Sequence, residues 1–257
     1  MISNDIIGAL IISIIVAVIL AIVTAAFRHR RSLIVGFLST TLYRNKEIRV
    51  SIAALLRISQ DGHYVLLKSI RRPECFIPVG GVYRFYESAR EDLDRCNFRP
   101  QEALDSTMSN DLRGFVPGKD LLRFIKWFNS EKDREPECLT REIREELSEI
   151  GLKEAASRVE MPKYRLVRSI QERPSSIQGV SYLQYRLIRI HEFVSADPEG
   201  QGITRLLLES AEHNDRILVV TADEIRRGRA RRGQVIGSIA GYLIGDKRAG
   251  PEPPAFS

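Results

Sequence analysis

The sequence predicts an α+β protein in which one N-terminal transmembrane helix precedes a domain of mixed structure. Three observations carry that expectation. Ile6 to Phe27 is apolar and free of charge; wound as a helix it spans ~33 Å, about the thickness of a bilayer core. Further along, short runs of alternating or β-branched apolar residues recur on both sides of the chain's middle. Between them, Thr140 to Leu152 (TREIREELSEIGL) has the period of an amphipathic helix.

The N-terminal run is preceded by Asp5 and followed at once by Arg28, His29, Arg30 and Arg31. The positive-inside rule then puts the N-terminus outside and the rest of the chain in the cytosol. A cleaved leader fits less well, because there is no basic start and the apolar run is too long. Residues 1–31 are therefore expected to form a single-pass anchor and 32–46 a juxtamembrane segment. Within the latter, Ser32 to Tyr43 is apolar but too short to span, so it lies along the membrane surface or docks on the domain. The formal charge is +6, and since Asp5 is the only charge ahead of Arg28, the remainder carries +7. A basic domain suits an anionic leaflet and equally a phosphate-bearing ligand. Cys75, Cys96 and Cys138 are odd in number and lack metal-ligand spacing, so reduced thiols are expected. The four histidines (His29, His63, His191, His213) show no ligand spacing either, and no Gly-x-Ser-x-Gly elbow occurs.

In the domain, Glu47 to Ser59 and His63 to Ile70 read as strands joined by a turn at Gln60–Gly62. A loop carrying Arg71 and Arg72 leads into FIPVGGVYRFYE, from Phe76 to Glu87. In that run Gly80 and Gly81 allow a tight turn and close approach of a phosphate. Two arginines beside such a turn match a phosphate clamp. Asp120 to Phe128 places Leu121, Leu122, Ile125 and Phe128 on one helical face, with Trp127 beside them as core. Lys163 to Gln171 and Ser181 to Phe193 read as strands, and Arg216 to Val220 as the last one. Thr221 with Glu224 has capping-box spacing and opens a final helix through Arg226–Arg232 to Ile236, Ile239 and Leu243. The Pro-rich end, 246–257, reads as a disordered tail.

The central helix divides into two faces. Leu139, Ile143, Leu147 and Ile150 form an apolar stripe, while Glu142, Glu145 and Glu146 stand one turn or less apart on another face. Three clustered carboxylates suit a hard divalent cation such as Mg²⁺. Arg141, one turn before Glu145, is placed to pair with it. The alternative is an ordinary helix with a solvated acidic face.

Five residues separate Gly81 from Glu87, and the later stretch reads Arg-Glu-Ile-Arg-Glu-Glu. Together these resemble the two halves of the NUDIX box, separated here by an insertion at about 88–133. Two departures stand out: the Arg141–Glu142 pair comes late, and the glycine expected soon after the Glu pair is Ser148, with Gly151 a turn later. The resemblance implies an α/β/α sandwich around a mixed β-sheet over residues 47–245. It also implies Mg²⁺ at Glu142, Glu145 and Glu146, and a ligand held by Arg71, Arg72, Gly80, Gly81 and Arg84. A split box behind a membrane helix is similar to the SMODS-associated NUDIX group. That likeness implies an effector of cyclic-oligonucleotide antiphage signalling (CBASS), held in the inner membrane with its domain cytoplasmic. In that system a CD-NTase makes the cyclic nucleotide, the NUDIX-like domain senses it, and a homo-oligomer of membrane helices disrupts the membrane to abort infection. The implied partners are a cyclic oligonucleotide and membrane lipid, with no nucleic acid polymer. A membrane-anchored Mg²⁺-dependent hydrolase of nucleoside-diphosphate derivatives is the alternative.

Overall fold

The structure is a computed structural model and describes residues 16, 20, 35–101, 110–136, 138–177 and 179–250. The expected membrane helix lies outside the described residues apart from Val16 and Leu20, and so does the tail beyond residue 250. Among the described residues no helix is long and apolar enough to cross a membrane.

The strands follow the alternation of the sequence. β1 (Glu47–Leu56) buries Ile48, Val50, Ile52 and Ala54, every second residue, on one face. β2 (Ser59–Gln60) turns through Asp61 and Gly62, both at positive φ, into β3 (His63–Lys68). β4 (Cys75–Ile77) and β5 (Gly80–Val82) flank Pro78. The described part of the insertion is folded rather than a tether: it holds α1 (Arg90–Arg95), β6 (Arg99–Pro100), β7 (Arg113–Pro117) and α2 (Leu121–Asn129). The acidic helix is α3 (Leu139–Glu149), followed by α4 (Lys153–Arg158). Then come β8 (Tyr164–Gln171), β9 (Ser175–Ser176), β10 (Leu183–Phe193) and α5 (Pro198–Ser210). The chain closes with β11 (Ile217–Thr221), α6 (Ala222–Arg227), β12 (Val235–Ile236) and α7 (Gly241–Ile244).

A mixed sheet runs in the order β6-β7-β1-β10-β8, with β5 also on β1 and β9 also on β10. β1 is parallel to β10 and antiparallel to β7 and β5. β7 pairs with residues 47–51 of β1 and β5 with 53–55, so the insertion extends the sheet directly beside the glycine turn. The mixed α+β character and the mixed sheet agree with the expectation. A second sheet, β11-β3-β4-β12 with β2 on β3, is additional to it. Its Leu66, Phe76, Val220 and Ile236 pack with Leu55, Ile170, Ile188 and Ile190 of the mixed sheet. The larger core lies on the other face of β1, where Ile48, Val50 and Ile52 meet Phe124 and Phe128 of α2 and Ile143 and Leu147 of α3. Trp127 is buried in that core, tilted against Phe124.

One expected element is corrected. The final helix starts at the predicted capping box, where Thr221 and Glu224 bond reciprocally. It ends after six residues because Gly228 adopts a left-handed conformation (φ 69°). The chain then folds back so that Val235 and Ile236 pair with Cys75 and Phe76. Arg229, Arg231 and Arg232 sit on that exposed turn, not on a helix.

Of the juxtamembrane segment, residues 35–46 pack against the domain. Residues 35–40 are helical, with Val35 and Ser39 fully buried. A Cβ on Gly36 would lie 3.1 Å from Leu122 of α2. The Gly118 and Lys119 amides donate to the Lys46 and Arg44 carbonyls.

Candidate functional site

The acidic helix owes its position to its apolar stripe. Leu139, Ile143, Leu147 and Ile150 are buried as predicted, which turns Glu142 and Glu146 toward β5. Its end is fixed by a Schellman motif: the Leu152 amide donates to Leu147 and the Gly151 amide to Ser148, with Gly151 at φ 93°. The glycine that stands late in the box is therefore the left-handed residue that follows the C-cap, Ile150.

Glycine is required twice on β5. A Cβ on Gly81 would lie 1.9 Å from Oε1 of Glu142, so that carboxylate occupies the space a side chain would take. A Cβ on Gly80 would lie 2.3 Å from the Ala54 carbonyl oxygen, and the Gly80 amide donates to Glu146 Oε1 at 3.0 Å. The two halves of the motif, far apart in sequence, thus meet residue against residue.

Arg141 is the hub of the site. It donates to Glu142, to both oxygens of Glu135 at 3.3 Å, and to the Val82 carbonyl at 3.1 Å. Its predicted partner Glu145 is farther, at 3.7 Å, and half its side chain is exposed. The closer carboxylates take the guanidinium because they sit beside it under β5, whereas Glu145 points outward. Burial raises the Glu142 carboxyl above its ordinary range, an effect that Arg141 offsets and Glu145 and Asp111 reinforce. Burial, with the charges of Glu142, Glu149 and Glu145, raises Glu146 well above the usual carboxylate range; the Gly80 amide opposes this.

The other predicted residues divide. Arg84 lies within the site: its amide donates to Glu135 Oε2 at 3.1 Å and its Nε is 3.6 Å from Asp111. Arg71 reaches it electrostatically: burial and Glu145 raise Glu149, Arg71 opposes that rise, and it adds to the lowering of Arg113 by burial. The charge of Arg72 acts on Cys75, whose thiol pKa is raised by burial. Glu87 turns to the exposed surface and pairs with Arg90.

Sequence reading missed Glu135, Asp111 and Arg113. Glu135 has no motif to reveal it. Asp111 and Arg113 border a readable alternation, Leu112, Gly114 and Val116, all buried. Folding brings both within electrostatic reach of the site: Asp111 acts on Glu142, and Arg113 feels Asp111, Arg71 and Glu142.

The chemistry of Glu142, Glu145 and Glu146 fits a hard cation, since all are oxygen donors whose charges penalise one another. As placed, Glu142 is held by Arg141 and Glu146 by the Gly80 amide. Among the described residues no three His, Cys, Asp or Glu side chains gather closely enough to hold a metal ion. Taking one ion on all three carboxylates requires them to move from these contacts.

Residues 47–244 match the SMODS-associated NUDIX domain family. The match covers both halves of the box and the insertion between them. No curated protein and no solved structure matches the chain.

Proposed function

The chain belongs to the SMODS-associated NUDIX domain family, and on that premise we propose that it is the membrane-bound effector of a cyclic-oligonucleotide antiphage system. The NUDIX-like domain senses a cyclic nucleotide made by a CD-NTase. Ile6–Phe27 anchors it in the inner membrane with the domain in the cytosol, and association of several such helices disrupts the bilayer. The family match carries the first step.

What favours sensing over turnover is how the box residues are engaged. Glu142 bonds Arg141, Glu146 bonds the Gly80 amide, and Glu87 faces solvent beside Arg90. An inserted strand, β7, pairs with β1 next to the box. NUDIX domains typically use Mg²⁺; bound here, it would neutralise the three carboxylates and the phosphates of a ligand, and Glu142, Glu145 and Glu146 would hold it. Their retention is the observation that supports the second reading, a membrane-anchored Mg²⁺-dependent hydrolase of nucleoside-diphosphate derivatives.

Two features support coupling of the domain to the membrane segment. Residues 35–46 dock on α2 and on the end of β7, separated by three residues in the sequence from the basic block at 28–31. In the same core, Phe128 of α2 meets Tyr83, which directly follows β5, with ring centroids 5.3 Å apart. The full chain in dye-loaded anionic vesicles tests the reading. Dye should escape when cyclic di- and trinucleotides are added on the domain side. Retention of dye across the panel would rule out membrane disruption.

A further inference from the structure

The face of the mixed sheet turned away from the larger core has two halves. In one, Leu55, Ile188 and Ile190 are covered by the second sheet. The other is polar. Cross-strand register aligns Arg49 with Phe115 and Gln184, and Ser51 with Arg113 and Arg186. Aligned residues share a face, so β7, β1 and β10 together present these six side chains.

Their hydrogen bonding is unequal. Arg49 donates to Gln101 and Gln184, and Arg186 to Glu172. Arg113 makes no hydrogen bond or ion pair among the described residues, although it is half-buried. Asp111, the nearest acid by its effect, lies against Arg84. Arg71 adds a second positive charge, and burial together with that charge lowers Arg113 from its ordinary value, against the pull of Asp111 and Glu142. A half-buried guanidinium that makes no hydrogen bond keeps donors open for an anionic ligand. Two residues along the same strand, ~7 Å away, Phe115 packs edge-to-face on Tyr182 with ring centroids 5.3 Å apart. Both rings are half-buried and keep surface for stacking. A cation and an aromatic pair side by side match a phosphodiester and its base.

We infer that this polar half-face is the recognition floor for the cyclic nucleotide, with Arg113 holding a phosphodiester and the Phe115–Tyr182 pair stacking a neighbouring base; the assignment rests on the sensor reading. It places recognition on the insertion, so the segment that splits the box supplies the specificity of the site.

The test is calorimetric titration of the detergent-solubilised full chain with cyclic di-AMP, cyclic di-GMP, cyclic GMP-AMP and cyclic tri-AMP at several salt concentrations. Arg113→Ala should bind the preferred ligand ten-fold or more weaker, with a shallower dependence on salt. Arg113→Lys should restore part of the affinity and the slope, while Arg113→Gln, closer in volume, should bind as weakly as the alanine variant. Phe115→Ala should weaken binding several-fold and leave the slope unchanged. Arg158→Ala, a surface pair with Glu154, should bind as the wild type. Wild-type affinity in folded Arg113→Gln and Arg113→Ala would overturn the assignment and leave the sensor reading standing. No binding by the wild-type chain to any of the four would overturn both.

Discussion

Gly80 and Gly81 are adjacent in sequence but glycine for different reasons, and that difference is measurable. At Gly81 the obstacle is the end of a side chain, Glu142, held by Arg141; at Gly80 it is the backbone oxygen of Ala54. Gly81→Ala should therefore fold with a small loss of stability while displacing Glu142 and weakening ligand binding. Gly80→Ala should separate β5 from β1 and cost several kcal/mol. Melting temperatures of the two variants check this, and equal losses would contradict it. His191 offers a second test. It lies on β10 at a bulge, buried, with Nδ1 lacking a partner among the described residues. Burial, with the charge of Arg189, lowers its pKa to about 4. The unfolded chain takes up this proton near pH 6.5, so its contribution is complete above that value and is lost as pH falls toward 4. The loss is on the order of 3 kcal/mol. Urea midpoints of wild type and His191→Gln should converge between pH 7 and pH 4.5; parallel curves would contradict the burial argument.

Among the elements, those with regular periodicity were legible and those closed by long-range pairing were not. The alternation of β1 and the apolar stripe of α3 report burial directly, and both appear where expected. Thr221 and Glu224 announce a helix start, yet its short length depends on Gly228 and on β12 finding β4. Neither is local information. A helix at Pro198–Ser210 is not among the expectations, although Asp197 caps it and Pro198 occupies its first turn; its burial is confined to Gly200, Ile203 and Leu207, too sparse a stripe to stand out. In the site, the glycine pair and the box carboxylates could be read because their spacing is itself the signal. Arg113 and Glu135 could not, since their roles exist only once β7 lies beside β1 and the chain returns to α3. The capping motif carries a prediction of its own: Thr221→Ala should destabilise the domain by about 1 kcal/mol, because it frees the Glu224 amide inside a folded element. A change within error in chemical denaturation would show that β11 and β12 hold α6 without it.

At the scale of the whole molecule, the proposed function needs the ligand site coupled to the membrane segment, and a packed core lies between that site and residues 35–46. The 35–46 segment, α2 and the β1–β5–β7 edge share that core, so a shift at the glycine turn meets α2 before it meets solvent. The proposed topology predicts that protease added to intact spheroplasts spares the domain and that permeabilisation exposes it. Digestion from outside would reverse the orientation. The charge of the chain fits the proposed arrangement: the basic residues of the exposed 229–232 turn, and those at 28–31 in the sequence, suit an anionic lipid or ligand. Whether the domain senses its ligand or consumes it is the central point, and the fate of the ligand decides it. The purified full chain, held with Mg²⁺ and the cyclic nucleotide it binds, should return that nucleotide intact on chromatography after prolonged incubation. Linear or mononucleotide products accumulating in proportion to enzyme, and lost in Glu146→Gln, would instead make the protein a hydrolase.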